Sequence, residues 1–152
     1  MDDDVREFTT ALGRAVIARD WVGAHAMLAP WLRAKQSPGD VQAFFENEYA
    51  ATLEANEIEG LHYPEHPEPE VGGNGHTKAT DLRQPISWAG GKIRDVADEV
   101  TDENMRWWAS IQLPCSDEQM ETLGFDFFAE VWAAIVETDE GLRVGYWSQG
   151  AY

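Results

Sequence analysis

Two long apolar runs close the chain. Residues 125–137 (FDFFAEVWAAIVE) and 142–148 (LRVGYWS) flank the turn Thr138-Asp139-Glu140-Gly141. Val131, Trp132, Ile135 and Val136 are β-branched or aromatic, and Val144, Tyr146 and Trp147 answer them. Gly141 can supply the positive φ that a short connection needs. The pattern predicts a β-hairpin, although Ala129, Ala133 and Ala134 would also suit a helix over 125–137. As a strand, one face carries Phe125, Phe127, Ala129, Val131, Ala133 and Ile135. The other carries Asp126, Phe128, Glu130, Trp132, Ala134 and Val136. Residues 105–113 (MRWWASIQL) alternate in the same way, with Trp107, Ala109, Ile111 and Leu113 opposite Trp108, Ser110 and Gln112.

The first third reads as helix. Val5, Phe8, Leu12 and Val16 recur at helical spacing behind Asp2, Asp3 and Asp4, which suit a helix start. Asp20 is an N-cap for a second helix through Trp21, Val22, Ala24, Leu28 and Leu32, with Pro30 marking a break or a fresh first turn. Ser37-Pro38-Gly39-Asp40 is a capping box with proline at the first helical position. The third helix then runs to about Asn56, with Val41, Phe44, Phe45, Tyr49, Thr52 and Leu53 in one stripe. His25 reads as a satisfied helical histidine.

Periodicity vanishes over 57–85, a Pro- and Gly-rich acidic stretch read as an irregular loop. His62 and His66 have ligand-pair spacing only on a helix, which Pro64 opposes. Gly72-Gly73-Asn74-Gly75 lacks the lysine and Ser/Thr of a phosphate loop, but its freedom could bring His76 to a pocket. Ile86-Ser87-Trp88 and Lys92 to Val96 read as short paired strands around an Ala89-Gly90-Gly91 turn. Ser116-Asp117-Glu118-Gln119 offers either one helical turn or a wide acidic hairpin loop. The expected architecture is α+β in a single domain, 1–152. It has a helical half (1–56), the loop (57–85) and a sheet half (86–152).

Composition narrows the function. The 152 residues carry 28 acids against 11 bases, a net charge of −17, and 43% hydrophobic residues with seven tryptophans. That apolar content argues for a folded core. The charge argues against nucleic acid and anionic membrane as partners and allows a basic protein partner. Cys115 is the one cysteine, so no intramolecular disulfide forms, and a buried structural thiol is the expected role. The N-terminus lacks the basic and apolar parts of a signal peptide, which makes cytoplasm the expected compartment.

Candidate chemistry sits on the second face of the long strand. There Asp126 and Glu130 interleave with Phe128 and Trp132. Lining a cavity, either acid would be desolvated and suited to general acid–base work. Facing solvent, the acids would be ordinary and the aromatics would mark a partner surface. Tyr49, Trp108, Ser110 and Tyr146 could wall the same pocket, with Tyr146 as an oxyanion donor, and His76 could approach it. For each of these, core packing is the competing role. No nucleophile elbow, P-loop, dinucleotide fingerprint or zinc knuckle is present, and neither cofactor nor metal is expected.

The segment FTTALGRAVIARDWVGAHAMLAPWLRAKQSPGDVQAFFENEY resembles the helical half of the NTF2-like superfamily, which includes ketosteroid isomerase-like proteins. The Arg19-Asp20-Trp21 step, Ala24 to Leu28 and Ser37-Pro38 carry the likeness. Gly141-Leu142-Arg143-Val144 is similar to that superfamily's last hairpin. The resemblance covers residues 5–55 and 105–150. It implies a cone: three N-terminal helices on a strongly curved, mostly antiparallel sheet of four or five strands, often homodimeric through the sheet's open face. Isomerase-like members usually place a hairpin before the third helix. Here Ser37-Pro38 follows the second helix almost directly, as in noncatalytic members, and no position matches a catalytic motif. Three functions remain open: a domain that binds a small molecule or a partner, an isomerase or dehydratase using Asp126 or Glu130, and an acidic inhibitor of a basic protein.

Overall fold

The computed structural model describes residues 1–55, 68–114, 121 and 128–149. Helix α1 (Asp3–Ile17) presents Val5, Leu12 and Val16 inward. Helix α2 (Trp21–Ala26) starts at Asp20, whose Oδ1 accepts the Gly23 N–H at 2.9 Å. Helix α3 (Pro30–Arg33) is one turn with proline first, so Pro30 divides the expected second helix in two. Helix α4 (Pro38–Ala55) begins with the expected capping box. The Ser37 N–H donates to Asp40 at 2.9 Å and the Asp40 N–H donates to Ser37 Oγ at 3.1 Å.

The sheet is an antiparallel meander of β1 (Glu70–Asn74), β2 (Met105–Pro114), β3 (Phe128–Thr138) and β4 (Gly141–Gln149), in that spatial order. The described part of the long run is therefore strand and not helix. Gly141 closes the β3–β4 turn at φ +98°. Register shifts fall between Met105 and Trp107 and between Ala134 and Ile135, where bulges give local twist. The sheet is open, with β1 and β4 as its edges.

Two cores cover its two faces. Leu12, Val16, Ala24, Leu28, Val41 and Phe45 pack from the helices onto Ala109, Ile111, Leu113, Val131, Ala133, Ile135, Val144 and Trp147. The opposite face buries Trp108, Ala134 and Val136 beneath Ala79, Leu82, Val96 and Val100. The covering segment contains one short helix, α5 (Ala79–Leu82), and a 3-10 turn (Ser87–Ala89). The Arg83 guanidinium ties it down, donating to the Ala97 and Val100 carbonyls at 2.6 and 2.7 Å.

Two expectations are corrected here. β1 lies inside the stretch read as irregular. The Ile86–Trp88 strand is a turn, joined to Lys92 by one isolated bridge. Gly90 and Gly91 both adopt positive φ, and Ser87 and Trp88 are exposed, so nothing extends the bridge into a ladder. His62, His66, Cys115, the 116–119 signal and Asp126 lie outside the described residues. Among the described residues, no helix is long and apolar enough to cross a membrane, and no group of metal-ligating side chains is found.

Candidate functional site

Cross-strand register sets which candidates meet. On the face opposite the helices, Trp108, Ala134 and Tyr146 form one row, Ser110, Trp132 and Ser148 the next, and Gln112 and Glu130 a third. The aromatic rings stack into a ladder. Trp108 lies 5.5 Å from Trp132 and 6.3 Å from Tyr146, at interplanar angles of 25° and 11°. The Arg94 guanidinium sits 5.6 Å over the Trp108 ring. Beside the ladder, Glu130 accepts from Trp132 Nε1 at 2.8 Å, Gln112 Nε2 at 3.1 Å and Ser110 Oγ at 3.4 Å. The Trp132 and Gln112 nitrogens can only donate, so Glu130 fastens this face together. The structure thus brings together Trp108, Ser110, Glu130, Trp132 and Tyr146. His76 is exposed on the loop after β1. The side chains of Tyr49 and Phe128 lie outside the described residues.

A concave feature that shares Tyr146 with this group lies at the β4 edge. Up to Gly145 that edge is covered by the chain between α2 and α3. Val144 donates to the Met27 carbonyl at 2.9 Å, and its own carbonyl accepts from Ala29 at 2.8 Å. Trp31 Nε1 donates to the Gly145 carbonyl at 3.0 Å. Arg33 then anchors α3 on the β3–β4 turn through two bonds to Glu140, 2.7 and 2.8 Å long. The guanidinium of Arg33 holds the Glu140 carboxyl below its ordinary range.

Beyond Gly145 the cover ends and a cleft of about 400 Å3 begins. That size suits a small organic molecule. Trp31, Phe44, Tyr146 and Trp147 wall it, with Lys35, Gln36 and Asp95 as its polar lining. Because β4 alternates, Tyr146 comes from the ladder side and Trp147 from the helix side. Phe44 stacks on Trp147 at 4.8 Å and 8°. Two lining residues carry buried polar atoms without a hydrogen-bond partner, Gln36 Oε1 and Trp147 Nε1. One is an acceptor and the other a donor. The neighbouring His25 ring nitrogen Nε2 meets the Gln36 carbonyl at 2.6 Å, which fixes the backbone of the α3–α4 connection.

Of the expected site residues, Tyr146 alone lines this cleft among those described. Trp108, Ser110, Glu130 and Trp132 do not line it. Sequence reading missed Trp31, Gln36, Asp95 and Trp147, and it placed Phe44 only in a core stripe. These residues come from four separate stretches, and no spacing links them. Compared with protein-family models, curated proteins and solved structures, the chain finds no match.

Proposed function

We propose that this chain is a binding domain of the NTF2-like kind, whose β4-edge cleft takes a small planar molecule. Helices on one face of an antiparallel meander support the fold reading. One observation carries the functional reading: a cleft walled by aromatics, two of whose lining residues, Trp147 and Gln36, hold an unmatched donor and an unmatched acceptor buried just beneath its wall. Buried polar groups are normally paired, and each unpaired one costs about 1–3 kcal/mol. A guest with an aromatic body and a carboxamide edge fits both needs. Its ring would lie against Phe44 and Trp31. Its carbonyl would accept from the Trp147 indole and its N–H would donate to Gln36 once both side chains turn toward the cleft, since both atoms are buried without the guest. The enzyme reading has less support, because Glu130 is engaged by three donors and does not line the cleft.

Naphthalene carboxamide is a suitable probe, followed through the indole N–H resonances in a two-dimensional NMR titration. Trp147→Phe assigns the Trp147 peak. Saturable shifts of the Trp147 and Trp31 peaks are expected. No movement of either at millimolar probe overturns the proposal.

A further inference from the structure

A second hollow of about 300 Å3 adjoins the cleft. Ile86, Ala89, Ile93, Lys92 and Arg94 line it, and it shares Asp95 and Tyr146 with the first. The two hollows meet at these shared residues and together make one trough. Its charge runs against the rest of the protein. Across the chain, acids outnumber bases 28 to 11. Among the described residues lining the trough, the bases are Lys35, Lys92 and Arg94 and the one acid is Asp95. Both nearby bases of the second hollow stand beside apolar surface. Ile93 is 64% exposed there, and Arg94 lies over Trp108.

Resting on the binding reading above, we infer that the natural guest is an amphipathic anion. Its planar aromatic body occupies the cleft between Trp31, Phe44 and Trp147. A single carboxylate, or an equivalent anionic group, reaches Lys92 and Arg94 in the second hollow. Arg94 is held by its position over the Trp108 ring, so its charge is fixed before the guest arrives. Lys92 is exposed at the rim and closes over the anion. A neutral guest would leave the second hollow unused. A cation would meet Lys92 and Arg94 there, with Asp95 as the one acid among the described lining residues, whereas acids outnumber bases over the chain as a whole.

Naphthoylglycine and its neutral amide test this, since they share one aromatic body and one carboxamide and differ only in the terminal charge. Titrations follow the Trp147 indole N–H peak in the full chain at low salt. The acid should bind about tenfold tighter than the amide, the scale of one or two partly exposed ion pairs. Lys92→Glu should erase that ratio. Arg6→Glu, a charge reversal on the exposed side of α1, should preserve it. Equal binding of acid and amide, or a ratio that survives Lys92→Glu, overturns the anion inference and leaves the cleft reading standing. If neither compound shifts the Trp147 peak, both fall.

Discussion

Replacing Trp147 with phenylalanine tests the unmatched indole directly. Trp147 is only 6% exposed. Its ring stacks on Phe44 and meets Phe45 edge-on at 5.2 Å and 89°. Phenylalanine keeps the six-membered ring and most of both contacts. It loses about two CH2 equivalents, roughly 1.5 kcal/mol of burial at about 0.8 kcal/mol each. Incomplete collapse of the vacated space adds up to about 1 kcal/mol. Against this, the substitution removes a buried donor that has no partner, a relief of about 1–3 kcal/mol. The opposing terms nearly cancel. Trp147→Phe should therefore unfold within about 1 kcal/mol of the parent, while Trp147→Ala should lose about 3–5 kcal/mol.

Urea unfolding followed by far-ultraviolet circular dichroism gives the difference without depending on tryptophan emission. The slope with denaturant should not change, so the midpoint alone reports the effect. A loss above about 3 kcal/mol for Trp147→Phe, at unchanged slope, would mean that the indole N–H is paired in the folded protein. The donor assigned to the guest would then be occupied, and the proposed binding mode would fail even though the cleft remained.

Three further outcomes are expected. Glu140, Asp40 and Asp102 are held below their ordinary values of 4.5, 3.8 and 3.8 by Arg33, Ser37 and Thr80 respectively. Their contribution is therefore complete above about pH 4.5 and is lost as pH falls through the lower folded values; the acid limb of a plot of thermal midpoint against pH should be shallower in Glu140→Gln, and an unchanged limb would refute the Arg33 anchor. Gly73 adopts φ +104°, and a Cβ there would stand 2.0 Å from the Trp108 carbonyl oxygen; Gly73→Ala should cost about 3 kcal/mol through strain and lost β1 pairing, seen as faster hydrogen exchange in β1, and a change under about 0.5 kcal/mol would refute the pairing. With a net charge of −17, self-repulsion should make the thermal midpoint rise on going from about 0.01 M to about 0.15 M salt, and a falling midpoint would show that attractive pairs dominate.

The parts of this fold that could be read from sequence are those decided within a few residues. The Ser37 box works because both partners lie within one turn, and the Asp20 cap does so for the same reason. β2 and β3 are legible because each buries one alternating set under helices, so Ile111, Val131, Ala133 and Ile135 announce their face. β1 is different. Glu70-Val71-Gly72-Gly73-Asn74 has almost no apolar alternation, and its pairing is set by the waiting edge of β2. The turn at 87–89 reads as a strand because β-branched Ile86 and aromatic Trp88 alternate around Ser87, whereas Gly90 and Gly91 commit the backbone to positive φ. The open sheet likewise depends on how much twist two bulges introduce, which no local pattern fixes.

The cleft was illegible for a related reason: its aromatic walls behave as core in every local test. Phe44 and Trp147 sit in correct apolar registers, and only the end of the edge cover at Gly145 turns their contact into a wall. The aromatic ladder, by contrast, was visible as alternation and is mostly structural. The acidity of the chain is the observation that connects these levels. A chain with 28 acids against 11 bases repels anions that come within about one Debye length, about 10 Å at about 0.1 M salt, and salt screens it further out. An anion can therefore gain only by local contact, where Lys92 and Arg94 lie beside apolar surface. A small inorganic anion has no apolar body to offset that repulsion, and a neutral aromatic gains nothing from the bases. Discrimination would come from requiring both features at once, which is a stricter filter than either a greasy cleft or a basic patch supplies alone.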